Sequence, residues 1–501
     1  MRAARWMALL LVGCGGGDGE GRGGTVVSSS TAAAPTVTLG TSNQRLAIPL
    51  EVTLDGLGRV EVACTRDDVP EEVLVARSDL AQSVHGLLVQ GGAAGATYQC
   101  AVQGPSGGVT TVSVTLPSLP EPFGVEVTVP APAGTPPFLT LYADLLPCAE
   151  SVGDADAHVV MVDHRGEARW WMEVPEPMPS IDLDVRLLEP EGWVHMAGGW
   201  GTGNEEIPHR GIFRTVDLTG EVQHERAEVG FGLGFNHHSE RMDDGSFATL
   251  SFDLITDGVE EKRAPAIEWW DPTSGELTRT WTAQQLIDEG LRFDDLTDLG
   301  VWAANSFELA DDPLGQGLYV SVVSADEVWR LDPTSGSLTH RIGAYSGWTL
   351  FDVDGSELGA DGWFSFQHDP EVARDGRMLV HDNGGNRGLG PVESRVLELE
   401  LDFARHEAQV VWEWTEPGWG NRFVGDADRL ATGTVAITQG YFHCLSGSDG
   451  HSSVVEVDPA TDEVVWRLDW THPEAAPYRS ERVDLCTWLP NARDCPEGSV
   501  R

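Results

Sequence analysis

Apolar and polar residues alternate in short runs along most of this chain. Leu46–Val52, Val60–Cys64, Thr97–Val102 and Val109–Leu116 each read as alternating segments, punctuated by Gly, Asp and Pro. A period of two places successive side chains on opposite faces, which is the pattern of a half-buried strand. Residues 36–122 therefore predict a small β-sandwich of immunoglobulin or fibronectin type. Pro117 to Pro122 and Pro130 to Pro137 mark its far boundary.

Beyond that boundary the pattern repeats. Segments beginning at Val159, Gly211, Ala266, Glu327, Arg395 and Val454 share one shape. Each is an apolar strand, an Asp, a turn and a second strand carrying Trp or Arg. They recur about every 50 to 70 residues, a period that means a propeller or another repeat array. A shorter strand precedes five of them: Trp193–Ala197, Ser246–Leu250, Leu318–Val322, Arg377–Val380 and Thr434–Thr438. Leu139–Leu146 serves the first. These shorter strands are the expected innermost ones. The chain thus predicts an all-β fold, with a six-bladed β-propeller over residues 123–501 following the small N-terminal β-sandwich. Thr282–Gly290 is the one helical-looking stretch, and the 18 tryptophans suit sheets packed on sheets.

The N-terminus reads as a processing signal. Arg2 and Arg5 precede a short apolar run, Met7–Val12, and Leu11-Val12-Gly13-Cys14 fits a bacterial lipoprotein cleavage box. Residues 1–13 are then a signal peptide, Cys14 the lipid anchor, and 14–35 a flexible Gly/Ser-rich tether. The expectation is an exported lipoprotein on the periplasmic or cell-surface face of a bacterial membrane. A formal charge of −47, with Lys262 the only lysine, excludes a nucleic-acid partner. Of the six other cysteines, Cys64 pairs with Cys100 and Cys486 with Cys495, which leaves Cys148 with Cys444. No CxxC is present, and neither a cofactor nor a metal is expected.

The chemistry concentrates in Phe366-Gln-His-Asp-Pro370, a turn at Arg374-Asp-Gly376, and Asp382-Asn-Gly-Gly-Asn-Arg387. On the sequence alone His368 and Arg387 stand at the two ends of one strand. His237 lies eight residues before Gly245, just as His368 lies eight before Gly376. Equivalent points of different blades face one axis, and His238, Asn305-Ser306 and Gly425-Asp426 fall near the same place. Arg387 and His443 follow the inner strands. A neutral imidazole serves as nucleophile, base or ligand, and a guanidinium holds an oxyanion. The combination suits transfer of a sulfuryl or phosphoryl group. His195 and His381 read as packing or surface residues within strands, and Asp352–Glu357 as a solvated turn.

Gln367-His368-Asp369, followed by Asp382-Asn383-Gly384 and Arg387, resembles the bacterial arylsulfate sulfotransferases. Supporting pieces are Asn305-Ser306, Val328-Trp329-Arg330-Leu331-Asp332, Ser394-Arg395-Val396, Val411-Trp412-Glu413-Trp414 and Tyr478-Arg479. The resemblance implies sulfuryl transfer from an aryl sulfate to a phenol through a sulfohistidine, without a nucleotide sulfate donor. It implies that His368 and Arg387 bind or polarise the sulfuryl group, with His443 as positional candidate for the nucleophile. His237 joins them as a catalytic residue, and His238, Asn305 and Asn383 as substrate-binding residues. The chain departs from the family where a histidine is expected two residues before Asn305; Ala303 stands there. Val322-Val323-Ser324 occupies the place of a Ser-Ser-Arg. A propeller that binds without catalysing is the alternative these departures leave.

Overall fold

The computed structural model describes residues 25–28, 33–40, 42, 45–120, 123–145, 157–174, 183–188, 193–200, 209–230, 237–242, 244–256, 258, 261–291, 303–385, 393–421, 424–441, 451–473 and 475–488. The fold is nearly all-β and is divided among many small sheets. No helix among the described residues is long and apolar enough to cross a membrane. The expected helix is the short Gln284–Asp288.

Two antiparallel sheets occupy the N-terminal part. One has five strands in the order Thr25–Ser28, Val109–Thr115, Thr97–Gln103, Glu61–Arg66, Val73–Arg77, and the other has Thr36–Leu39, Ile48–Gly58 and Gln82–Val89. Alternate residues such as Val62, Cys64, Tyr98, Cys100 and Val102 enter a core shared with Ile48, Leu50 and Val52. The stretch read as tether thus contains a strand, Thr25–Ser28, laid antiparallel on Val109–Thr115. An edge strand with unpaired N–H groups recruits such a segment. Cys64 and Cys100 face each other in register and are disulfide-bonded, as expected. Cys486 is disulfide-bonded too. Cys14, Cys148, Cys444 and Cys495 lie outside the described residues.

Six further sheets follow, each built on four antiparallel strands; in one of them Thr349–Phe351 adds a parallel pairing along Glu407–Trp414. In every one the third strand ends on or just before an Asp: Asp163, Asp217, Asp271, Asp332, Asp402 or Asp458. Its carboxylate accepts the N–H two residues on, at 2.8–3.0 Å. This Asx turn is the physical content of the repeated Asp. The chain then reverses through a residue with positive φ: Gly166, Gly220, Gly275, Gly336, His406 or Asp462. Tryptophans of fourth strands tie one sheet to the next. The Trp170, Trp281 and Trp412 indole N–H groups donate to Leu218 O, Gly336 O and Asp462 Oδ1 at 2.8–3.0 Å. Trp466 of the last sheet donates to His164 O of the first at 3.1 Å. Ala476–Asp484, from the C-terminal end, completes the first sheet by pairing with Phe138–Leu145.

The strands expected to be innermost are the second strands of their sheets. The first strands lie just ahead of them: Asp184–Leu188, Ser239–Arg241, Ser306–Asp312, His368–Val372 and Asp426–Arg429, with Ala476–Asp484 filling the place in the first sheet. They are rich in polar residues, so apolar patterning passed over them. Among these, Ser306–Asp312 touches His368–Val372, which touches Asp426–Arg429, and Ala476–Asp484 touches Asp426–Arg429 and Asp184–Leu188. His238, just ahead of Ser239–Arg241, packs edge-on against Phe307.

Cross-linking two residues 36 apart removes chain entropy worth about 2–4 kcal/mol from the unfolded state. The Cys64→Ser/Cys100→Ser double variant is expected to lose that much stability in the N-terminal transition, measured by urea unfolding.

Candidate functional site

The His368 motif is a hairpin rather than a single strand. His368–Val372 and Arg377–Asp382 pair antiparallel with His368 opposite His381. The turn at Arg374-Asp-Gly376 doubles the chain back, so His368 and Asp382-Asn383 meet at one edge instead of standing a strand apart. Between the pairs His368–His381 and Glu371–Leu379 the register shifts by one residue. Asp369 sits in this bulge with φ of 41°. Phe366 and His237, which lead into two of the first strands, also have positive φ (54° and 56°). Such conformations in non-glycine residues cluster where a side chain must be aimed.

Asn383 sets the state of two imidazoles. Its Nδ2 donates to Asn421 O at 2.7 Å and Val424 O at 2.8 Å, which uses both amide hydrogens. Its Oδ1 must therefore face His368 Nδ1 at 2.7 Å and His381 Nδ1 at 3.2 Å, and both rings donate to it. Each imidazole then carries its proton on Nδ1 and a lone pair on Nε2. Burial, helped by the Arg479 charge, holds His368 down to about 3. Burial likewise holds His381 down to about 4. His368 is a neutral ring with an acceptor or nucleophilic nitrogen, not an anion donor.

A guanidinium–carboxylate cluster stands beside it. Arg479 reaches His238 Nδ1 at 2.9 Å, Asn305 O at 2.9 Å and Asp369 Oδ1 at 3.2 Å. Arg186 reaches His238 Nδ1 at 3.2 Å and Asp369 Oδ2 at 3.3 Å. Burial would raise the Asp369 carboxyl, but these two arginines hold it well below the usual range. For Asp184, burial is likewise outweighed by Arg186, and the group falls to about 2. Burial first, then the neighbouring arginines, hold His238 neutral. Tyr478 bridges the cluster to the histidines: its hydroxyl bonds His237 Nδ1 at 2.9 Å, and its ring lies edge-on to His368 at 6.1 Å.

His368, His237, His238, Asn305 and Asn383 thus come together, linked by Tyr478 and Arg479. Asn305 acts through its backbone carbonyl and by donating to Gln367 O at 2.7 Å. Arg387 and His443 lie outside the described residues. His195 is buried and bonded to Ser239 Oγ at 3.0 Å, whereas His381, read as a packing or surface residue, belongs to the Asn383 cluster. Asp426 stands where the blade comparison put it, whereas Arg186 and Asp184 were passed over. Their signal is a polar pair at i and i+2 in or just ahead of each first strand: Asp184/Arg186, His238/Glu240, Ser306/Glu308, Asp369/Glu371, Asp426/Asp428 and Arg479/Glu481.

The sequence profile of the arylsulfotransferase (ASST) family matches residues 138–479. The chain belongs to this family. The match spans all six sheets and includes His368, Asn383 and Arg479. No curated protein matches the chain. Among solved structures it is similar to a Bacteroides caccae protein of unknown function, at 12% identity over 69% of this chain and 99% of that one (TM-score 0.42). It is also similar to Citrobacter koseri AztD, at 11% identity over 85% and 98% (TM-score 0.28). A Synechocystis apocarotenoid oxygenase mutant matches at 10% identity over 93% and 97% (TM-score 0.33).

The depressed histidines make stability pH-dependent. The unfolded chain binds their protons near 6.5, the folded chain near 3 and 4. Stability is therefore intact above 6.5 and is lost as pH falls toward those values, by up to about 1.4 kcal/mol per unit for each ring. His381→Gln, whose amide still donates to Asn383, is expected to flatten the slope between pH 6.5 and 4 in a series of urea titrations.

Proposed function

We propose that this chain transfers a sulfuryl group from a phenolic sulfate to a phenol through a histidine intermediate, without a nucleotide sulfate donor. In this reading the six sheets are the blades of a six-bladed propeller behind an N-terminal β-sandwich. The site lies where the first strands meet, and the protein is an exported lipoprotein held to a membrane through Cys14. The observation that carries the reading is His368 in its family motif: a neutral imidazole whose Nδ1–H is spent on Asn383 and whose Nε2 keeps its lone pair. That state supports a base or a nucleophile, and it shifts the binding of the sulfuryl oxygens onto other groups.

The chemistry runs in two displacements. A histidine nitrogen, His443 by its place in the motif set, attacks sulfur as the S–O bond to the aryl group breaks and the phenolate leaves. The acceptor phenol oxygen then attacks the sulfohistidine, the N–S bond breaks, and His368 Nε2 takes the phenol proton. Positioned proton transfer of this kind contributes about 10²–10⁴-fold. The described carboxylates outnumber the guanidinium groups beside them, so charge stabilisation of the sulfuryl oxygens falls to Arg387.

An assay with p-nitrophenyl sulfate and phenol tests the reading. The expected outcome is phenol-dependent release of nitrophenolate and a sulfuryl adduct on a histidine peptide by mass spectrometry. His368→Ala is expected to lower kcat by about 10²–10⁴-fold, and His443→Asn to remove the adduct. Absence of both turnover and adduct from the intact chain would sink the reading. It would leave a propeller that binds phenolic ligands without chemistry, the reading Ala303 favours. The Ala303 N–H is already bonded to Ser324 Oγ at 3.0 Å, and its methyl offers no donor.

A further inference from the structure

The second members of the polar pairs do a common task on three of the first strands. Glu308 accepts the N–H of Val372, Glu371 that of Arg429, and Glu481 that of Leu187, at 2.5–2.7 Å. In each case the carboxylate reaches the edge of the next first strand. Asp428 holds the equivalent position on Asp426–Arg429 but is one methylene shorter. Among the described residues its carboxylate has no hydrogen-bond or ion-pair partner.

Asp428 shares its surroundings with two more carboxylates. One oxygen each of Asp369, Asp426 and Asp428 can be chosen so that all lie within 4.8 Å of one another. Arg186 and Arg479 both place their guanidinium groups on Asp369. Among the described residues no guanidinium lies within ion-pair distance of Asp426 or Asp428, although Arg479 acts on Asp426 from farther off, and Arg186 and Arg482 act on Asp428. Asp426 approaches Asp369 closely enough to share a proton with it. Asp426 is only 4% exposed, and its Oδ1 is buried without a hydrogen-bond partner. A buried carboxylate oxygen with no donor, facing two further carboxylates, is a large unfavourable term unless a proton or a cation fills the gap.

We propose that Asp369, Asp426 and Asp428 hold a hard divalent cation, with Ca²⁺ the best match, where the strands His368–Val372 and Asp426–Arg429 adjoin. The donor set is entirely oxygen, which suits Ca²⁺ or Mg²⁺ over Zn²⁺. Several carboxylates on separate strands suit Ca²⁺, which takes six to eight oxygens in flexible geometry, while Mg²⁺ keeps most of its water. The cation links two adjacent sheets where Asp428 does not reach the next strand. It neutralises charge that the two arginines leave over. The site lies beside Asp369, which orients Arg479 and His238, but takes no part in the sulfuryl-transfer steps above.

The test uses the intact chain, stripped with EDTA and then titrated with CaCl₂. Calorimetry is expected to show one Ca²⁺ per chain. The melting temperature is expected to rise by a few degrees at about 100 times Kd. Asp426→Asn and Asp428→Asn are each expected to weaken binding by roughly tenfold or more and to abolish the thermal shift. If Asp426→Asn fails to fold, Asp428→Asn, at the less buried position, carries the same readout. A folded protein with no saturable binding and equal melting temperature in Ca²⁺ and EDTA overturns the proposal, and a shared proton then occupies the gap. Undiminished binding in a folded Asp428→Asn variant, or a preference for Zn²⁺, overturns it as well. Neither readout needs an aryl sulfate, so failure here is distinguishable from failure of the transfer reading.

Discussion

The first strand of each sheet is an edge, and its backbone N–H groups must find acceptors in a place crowded by other edges. Leaving a buried N–H unpaired costs as much as a lost hydrogen bond. The chain meets this with carboxylates sent across from the neighbouring strand: Glu308 to Val372, Glu371 to Arg429 and Glu481 to Leu187. The solution concentrates negative charge where the strands meet. Burial first, then the neighbouring acids, push Glu308 up to about 8 and raise Asp426 and Asp428 well above the carboxylate range. Arg186 and Arg479 answer part of that charge at Asp369. The electrostatics of the candidate site follow from the need to close the strand edges.

Asn383 plays the corresponding part for the histidines. Two carbonyls take both of its amide hydrogens, so its oxygen can only accept, and two imidazoles are thereby fixed in one tautomer. Those carbonyls belong to Asn421 and Val424, just ahead of the next sheet's first strand. The protonation state of His368 is in this way tied to the packing of the neighbouring sheet. Gly425 shows how closely the two approach: a Cβ there would run into the His381 ring.

Outside the site, strength comes from repeated devices. The Asp-led turn and the Trp indole bond recur from sheet to sheet, and the last indole reaches the first sheet. The N-terminal part is joined to the first sheet by ion pairs, Arg169 to Glu72 at 2.8 Å and Arg66 to Glu167 at 2.8 Å. Trp470 adds a bond to Asp144 at 3.1 Å. These contacts cross between segments far apart in the chain, and no local pattern announces them.

The sequence by itself determined the third and fourth strands of all six sheets, because their apolar alternation, turn Asp and Trp are local features. It also determined the Cys64–Cys100 pair and the family motif around His368. It passed over the first strands, because a strand so rich in polar residues looks like a loop until its neighbours are known. It read His368 and the Asp382 end as a strand length apart, because a two-strand hairpin and one strand with a polar interruption look alike in one dimension. Which groups meet was decided only by tertiary structure. Arg186, Asp369 and Arg479 lie on three strands from distant parts of the chain, and His381 becomes a site residue only because Asn383 bonds both imidazoles. Hydrogen-bond satisfaction and charge balance are properties of neighbours in space, so they became legible only when the sheets were brought together.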